Sequence, residues 1–480
     1  MAATTFDVVV IGAGPVGENV ADRAVQGGLT VAVVESELVG GECSYWACMP
    51  TKALLRDAAA LRAARSLPGS EAAVTGGLDA AAVLRRRDAF AAHWHDDGQV
   101  GWLQGAGITL VRGHGRISAP RTVSVTDGDG STVVLEARQA VVVATGSSAR
   151  VPAIPGLAET SPWTNRDAAS AASVPGRLAI LGAGVVGAEM ATAYKALGAE
   201  VTLIARDRLL ATVEPFASDL VAESLKAQGV TLHLHAGIDA VDRDNAGTVH
   251  VRLADGTTVD ADEVLVATGR VPRTGDLGLE TVGLTPGDWL RVDDALRVVR
   301  DDGTPAGDWL YAVGDVNHRA LLTHQGKYQA RALGDAIAAR AAGDPVDTAP
   351  WGRHAATADE RATPQVIFTD PEIASVGYTA AEAAAAGLRV RVVECDLGAV
   401  AGAALHADGY TGRASMVVDQ DRRVVVGFTV VGPDVAELLH AATIAVAAEV
   451  PIERLWHAVP AYPTMSEVWL RLLETYGRDA

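Results

Sequence analysis

Cysteine is scarce in this chain, with three residues in 480. A chain of that length buries substantial cores, in about two to four domains, without disulfide staples. The few cysteines are therefore expected to serve chemistry rather than scaffolding. Positive charge is also short: 40 Lys and Arg stand against 59 Asp and Glu, a formal net charge of -19. That balance argues against a protein that neutralises nucleic-acid phosphates or docks on an anionic membrane. Long apolar runs are missing, and nothing approaches the roughly 20 residues of a membrane span. The opening residues, MAATTFDVVVIGAG, have no basic region and no cleavage-site pattern, so a cytoplasmic location is expected. Low-complexity tracts are absent too, and order is expected everywhere but the last few residues. What remains is a globular composition, 49% hydrophobic and 21% charged, suited to small-molecule chemistry.

The stretch FDVVVIGAGPVGENVADRAVQGGLTVAVVE reads as an apolar strand, a glycine turn, a helix and a second apolar strand ending at Glu35. Gly12 permits the tight turn, Gly14 lets the backbone approach a pyrophosphate, and Gly17 lets helix and strand pack closely. The helix N-terminus then faces the phosphates, and Glu35 accepts from a ribose diol. The unit recurs in RLAILGAGVVGAEMATAYKALGAEVTLIARDRLL, with Gly182, Gly184 and Gly187 in the same turn. Two dinucleotides are implied. Glu35 lies 35 − 12 = 23 residues after its first glycine, and the same step from Gly182 reaches Ala205 (205 − 182 = 23). The acid that would hold a free 2′-hydroxyl is missing there, and Arg206 and Arg208 follow, where guanidinium groups suit a 2′-phosphate. This favours NADPH, with NADH the choice if the arginines are merely solvated.

Each fold is followed by an apolar strand ending in Ala-Thr-Gly: VVVATGSS, with Thr145 and Gly146, and VLVATGRVP, with Gly269. A third strand, in LYAVGDVNHRALLTHQG, runs through Gly314 and Asp315 into a helix. Two of the three cysteines stand together in GGECSYWACMPTK, at positions 43 and 48, ahead of Lys52.

Taken together these residues resemble the pyridine nucleotide-disulfide oxidoreductases, the family of glutathione reductase, dihydrolipoamide dehydrogenase and mercuric reductase. The resemblance implies an α/β chain with two Rossmann-like dinucleotide-binding domains plus a C-terminal α+β dimerisation domain. FAD would bind residues 1–150 and NAD(P)H residues 151–273, residues 274–350 would complete the FAD domain, and residues 351–480 would form the interface of a homodimer whose active site is shared between subunits. Asp315 would hold the flavin's ribityl chain. Cys43 and Cys48 match the redox-active disulfide, Cys43 exchanging with substrate and Cys48 lying against the flavin, while Lys52 would pair with Glu189 on the second nucleotide helix. Five steps of ideal helix rise about 7.5 Å, beyond the Cα spacing of about 4.4–6.8 Å that a disulfide tolerates. The segment is therefore distorted, or a helix begins between the sulfurs, and a helix start lowers a thiol pKa. A metal site is the rival reading of the pair, but zinc normally wants four ligands and no second pair exists; no metal is expected. Cys395 stands alone and reads as a small buried residue.

Two departures from the family bear on the acceptor. Between the cysteines the chain has Ser44, Tyr45, Trp46 and Ala47, whose aromatics either shape access to Cys43 or simply pack. Near the C-terminus, where disulfide-reducing members carry His-Pro-Thr-x-Ser-Glu, this chain reads AYPTMSE, so Tyr462 replaces the histidine while Glu467 is kept. Histidine ordinarily titrates near pH 6.5 and tyrosine near 10, which makes tyrosine a poor base. An Ala-Arg end to the second fold and a C-terminal tyrosine are shared with mercuric reductase, but the final LLETYGRDA carries no cysteine pair to receive a metal ion. Three readings follow. The first passes hydride from NADPH through flavin to the Cys43–Cys48 disulfide and on to a small-molecule acceptor; the second has flavin reducing a quinone or metal ion directly; the third is a redox-responsive nucleotide-binding protein without turnover.

Overall fold

A computed structural model describes residues 3–478; the expected disorder of the last residues falls partly on Asp479 and Ala480, outside that range. The chain divides into two compact units. One comprises Met1–Pro50, Asp88–Ala149 and Arg270–Glu360, and the other Thr51–Arg87, Arg150–Gly269 and Arg361–Ala480.

The first unit is built on a seven-stranded sheet. Its centre is Thr4–Ile11, parallel to Val31–Glu35 on one side and to Thr132–Val143 on the other, with Leu310–Ala312 parallel to the latter. Parallel strands are covered on both faces, which is why these segments carry apolar runs such as Val8–Ile11 and Val31–Val34 and why Val8, Val9 and Val10 have no exposed surface. Helix Pro15–Gln26 starts with proline in its first turn after Gly14, where the ring's fixed φ and missing N–H cost nothing. It packs through Val20, Ala21 and Ala24 against Ala330, Leu333 and Ile337 of helix Thr323–Ala342. The two approach closely because Gly334 has no side chain: a Cβ there would lie 2.5 Å from the Cβ of Arg23.

The second unit repeats the parallel layout in four strands, ordered Thr231–His233, Glu200–Ile204, Arg177–Leu181 and Glu263–Val266. Its C-terminal part is a five-stranded antiparallel sheet that runs from Pro364–Ile367 to Val390–Asp396. Arg87 is almost fully buried in this unit, and its guanidinium donates to the carbonyls of Ala169 (2.6 Å) and Ala171 (2.8 Å). The chain thus adopts the expected class, α/β with two Rossmann-like folds and a C-terminal α+β part. Cys395 departs from expectation: it is half-buried on Val390–Asp396, an edge strand of that sheet, where one face meets solvent.

The two glycine turns superpose in their constraints. Gly12 and Gly182 have φ of +105° and +111°, and a Cβ on Gly17 or Gly187 would sit 1.9 or 2.0 Å from the carbonyl oxygen of Gly12 or Gly182. Backbone cannot swing aside as a side chain does, so Gly17→Ala is expected to destabilise the protein by roughly 1–3 kcal/mol. Gly14 has nothing within 4 Å of a Cβ, so Gly14→Ala should fold within about 0.5 kcal/mol of wild type yet bind dinucleotide poorly. Thermal unfolding together with cofactor content separates the two; equal stability of both variants would refute the close approach at Gly17.

Candidate active site

The first turn is arranged around an open concavity. Gly14, the N-cap of helix Pro15–Gln26, faces free space, so unpaired backbone N–H groups are available to an anion. Glu35 holds the turn from the neighbouring strand: its Oε2 accepts from the Ala13 N–H at 2.8 Å and its Oε1 from the Glu37 N–H at 2.7 Å. Burial raises its pKa, partly offset by these backbone donors. Thr145 follows Thr132–Val143, and its hydroxyl is buried without a hydrogen-bond partner. Gly146 beside it has φ +70°. Asp315 lies past the Leu310–Ala312 strand; its Oδ2 accepts from the Ser147 hydroxyl at 2.5 Å, and Arg270 Nε donates to that hydroxyl at 2.6 Å. Burial raises the Asp315 pKa while Ser147 and Arg270 lower it. Gly314 reaches φ +78°, and its N–H is held by Gln329 Oε1 at 2.8 Å. An orphaned buried hydroxyl, an open glycine turn and a braced carboxylate fit a dinucleotide bearing a polyol chain.

The cysteine segment breaks where the spacing requires it. A short helix, Gly41–Tyr45, carries Cys43 and ends at Trp46, and a new helix, Cys48–Arg65, starts at the second cysteine. The chain turns between the two cysteines, both of which are free and half-buried. Cys48 Sγ also lies 3.3 Å from the hydroxyl of Thr323, the first residue of helix Thr323–Ala342. The helix start falls on Cys48, not on Cys43. The pKa of Cys43 is raised by the hydrogen bond to Cys48 and by burial, with Thr323 and Lys327 opposing. Tyr45 is a packing residue: it is buried, its hydroxyl donates to the Val39 carbonyl at 2.9 Å, and its own carbonyl accepts from Trp94 Nε1. Trp46 stays half-buried, edge-on to Tyr45 with centroids 5.7 Å apart.

In the second unit Lys52 Nζ meets Glu189 Oε2 at 2.7 Å. The Glu189 side chain is only 4% exposed, and its Oε1 accepts the Phe368 N–H at 3.0 Å, while Lys52 Nζ lies 5.0 Å from the Phe368 ring centre. A buried carboxylate satisfied on both oxygens is held rigidly. Gly184 faces free space like Gly14, and Gly269 reaches φ +123°. Of the two arginines after Ala205, Arg206 is exposed, whereas Arg208 Nη2 donates to the carbonyls of Ala211 (2.9 Å) and Val213 (2.7 Å) and its Nη1 is buried without a partner. Tyr462 is 77% exposed. Glu467 is buried, paired through Oε1 with Arg471, and its Oε2 has no partner.

Motif reading passed over Glu18, Ser147, Thr323 and Lys327, because each acts through a partner distant in the chain. Glu18 had one visible signal, a carboxylate immediately after the last glycine of the turn. It is 8% exposed with Oε1 unpaired, and burial and Glu35 push its pKa from 4.5 to about 7 against the pull of Lys327. An acid whose folded pKa is raised contributes stability fully present below about pH 4.5 and lost as pH rises through about 7. Relative to its standing at pH 4.5, Glu18→Gln should be more stable than wild type at pH 8 by roughly 2–4 kcal/mol. Unfolding of both proteins across that range checks it, and parallel pH profiles would show that Glu18 ionises as an ordinary glutamate.

Comparisons with known proteins agree with this geometry. Residues 6–343 match the family model for pyridine nucleotide-disulphide oxidoreductase, and residues 363–472 match that family's dimerisation domain. The chain is 31% identical to a mercuric reductase of Shigella flexneri, over 98% of this chain and 81% of that one. It is 32% identical to a dihydrolipoyl dehydrogenase of Haloferax volcanii, over 98% of this chain and 96% of that one. Among solved structures it is similar to LpdA of Mycobacterium tuberculosis, with a TM-score of 0.81, 27% identity, and coverage of 99% of this chain and 100% of that one. The fold is also shared with the HOCl-induced flavoprotein disulfide reductase RclA of Escherichia coli, with a TM-score of 0.82, 23% identity and coverage of 99% of each chain. Among the described residues no helix is long and apolar enough to cross a membrane, and no cluster of acids, histidines and cysteines is placed to hold a metal ion. With two glycine turns, a dithiol on a helix break and family matches over nearly its whole length, the chain belongs to the pyridine nucleotide-disulphide oxidoreductases, enzymes dependent on FAD and pyridine nucleotide.

Proposed function

We propose that this enzyme takes electrons from NADPH and delivers them through FAD to the Cys43–Cys48 pair and on to a small-molecule disulfide, working as a homodimer with its active site shared between subunits. Residues 1–150 and 274–350 would hold FAD, residues 151–273 the nicotinamide nucleotide, and residues 351–480 the interface. The observation that carries the reading is the dithiol itself, two free cysteines on either side of a helix break with Cys48 braced by Thr323.

When bound, the flavin would accept the electron pair of a hydride and pass it on to the disulfide, linking nicotinamide to thiol chemistry. Gly12, Gly14 and Gly17 bring the backbone to the pyrophosphate, Glu35 and Asp315 orient the sugar hydroxyls, and Gly182, Gly184 and Gly187 do the same for the second nucleotide. Thr145, Gly146 and Gly269 shape the exits of the two folds. Lys52, fixed by Glu189, places a positive charge for reduction chemistry. Cys48, at a helix N-terminus, is favoured as thiolate. In turnover, the Cys43 sulfur loses its proton and attacks the acceptor's S–S bond, which breaks and releases one thiolate. Cys48 then attacks Cys43 in the mixed disulfide, the second acceptor thiolate leaves, both take up protons, and the Cys43–Cys48 bond is re-formed.

The proton on Cys43 is the difficult step, since burial and its partner hold that thiol up. Tyr462, exposed and in the place of a histidine, is a poor base for it. Glu467 is tied to Arg471. General acid–base help is typically worth about 10²–10⁴-fold, so disulfide turnover should be slow near neutrality. That observation favours a second reading, direct reduction of a metal ion or quinone, and the likeness to mercuric reductase supports it.

Anaerobic titration with NADPH decides between them. Uptake of electrons beyond what flavin alone holds, with a long-wavelength thiolate-to-flavin band that Cys48→Ser abolishes, is the expected result. Bleaching of the flavin with no such band and no extra uptake would remove the pair from the circuit. The nucleotide choice rests on Arg206, exposed and without an ion pair among the described residues, and on Nη1 of Arg208, which has no partner among them. One charge-assisted hydrogen bond is worth about 1.5–3 kcal/mol, so kcat/KM should be about tenfold or more higher with NADPH than with NADH, and Arg206→Ala should narrow the gap. A preference for NADH would show that these arginines do not read a 2′-phosphate.

A further inference from the structure

A cavity of about 250 Å³ opens in the first unit, away from the glycine turn, lined by Arg121, Arg297 and Arg340 with Gln139, Asp308 and Tyr311. Its place in the sheet separates it from the dinucleotide site. Strands Thr132–Val143 and Leu310–Ala312 run parallel, with Leu310 opposite Val141. Their C-terminal ends lead to Thr145 and Asp315, whereas Gln139 lies six residues before Thr145 and Asp308 just ahead of the Leu310–Ala312 strand. Arg340 lies in the last turn of helix Thr323–Ala342, whose first residue contacts Cys48. Seventeen residues of helix separate Thr323 from Arg340, or about 25 Å at 1.5 Å per residue.

The three guanidinium groups are incompletely matched by acids. Arg121 Nη1 donates to the carbonyls of Arg138 and Gln139 (2.6 and 3.0 Å), and its Nη2 pairs with Asp308 at 2.9 Å. Arg297 pairs through Nε and Nη2 with Asp293, both at 2.8 Å. Arg340 has no carboxylate partner among the described residues; it donates to the Tyr311 hydroxyl and stacks 5.6 Å from that ring's centre. Three cations against two carboxylates leave a local positive excess in a chain of net charge -19. Each guanidinium has five donors in a fixed fork, so Arg297 Nη1 and the remaining donors of Arg340 are available. Tyr311 is 1% exposed and anchors the Arg340 head from below.

We infer that this cavity binds a small, multiply charged oxyanion of the phosphate type, by forked donation from Arg340 and Arg297. Size selects the class of ligand. Drug-sized and dinucleotide ligands fill about 300–1,000 Å³, and at about 250 Å³ this cavity lies below that range. A pyrophosphate or a small phosphorylated metabolite matches it; a second dinucleotide does not. Phosphate oxygens take the bidentate geometry that guanidinium offers and that a compact ammonium lacks.

The test is calorimetric titration of the FAD-loaded enzyme with inorganic pyrophosphate. NADP⁺ is held at saturation to fill the nucleotide fold, and sodium chloride keeps the ionic strength matched, because exposed charges are screened by salt. Saturable one-site binding is expected, weakened about tenfold or more in Arg340→Gln and in Arg297→Gln and unchanged in Arg331→Gln, an exposed arginine on the same helix. Should Arg340→Gln lose its fold with its Tyr311 contact, Arg297→Gln decides. Absence of saturable heat, or equal weakening by Arg331→Gln, overturns the assignment.

Discussion

The close approach of backbone to backbone in the two glycine turns is the constraint on which the remaining structure depends. With Gly17 less than a side chain away from the Gly12 carbonyl, and Gly187 likewise from Gly182, each first helix lies directly on its strand. Its N-terminus then has one direction in which to point. That orientation fixes where unpaired N–H groups gather, and so where a pyrophosphate is attracted. The parallel strands beside the first turn end at the same level, which is why Thr145 and Asp315, more than a hundred residues apart, belong to one concavity. Past the irregularity between Phe6 and Val8 the register is unbroken from Val8–Ala140 to Ile11–Val143, so this edge is set by packing within the sheet.

In each of its two units the protein keeps carboxyl groups out of water. Glu35 and Asp315 are buried but braced by donors, and burial still raises both pKa values. Glu189 is satisfied on both oxygens, by Lys52 and by the Phe368 N–H. Glu18 has no such bracing and responds by holding its proton to near neutrality. The contrast follows from the price of an unpaired buried charge, which a group escapes by finding partners or by remaining neutral. The family membership sets aside the reading of this chain as a binding protein without turnover.

Much of this organisation was legible in the residues. The glycine spacing, the apolar strands and the Ala-Thr-Gly exits are local signals, and local signals survive translation into structure because they are set by the sterics of a few consecutive residues. The break between Cys43 and Cys48 was legible for the same reason, since rise per residue forbids an unbroken helix. The Lys52–Glu189 pair came from resemblance, not from spacing, and its ion pair is present at 2.7 Å. A helix does begin between the sulfurs, at Cys48, while the main influences on Cys43 are its neighbouring thiol and burial, which raise its pKa. Arg208, paired on paper with Arg206, proved to brace the Ala211–Val213 carbonyls with one of its nitrogens.

The sequence by itself determined the two nucleotide folds, the dithiol and its helix break, because turns, strands and helix starts are properties of neighbouring residues. Only the tertiary structure decided which side chains are buried and what faces them: Thr323 on Cys48, Ser147 on Asp315, an unpaired Glu18 beside the glycine turn, and three arginines around one cavity. Burial and long-range partners set solvation, and solvation sets charge, so proton affinity and anion recognition were written into the fold and not into any stretch of the chain.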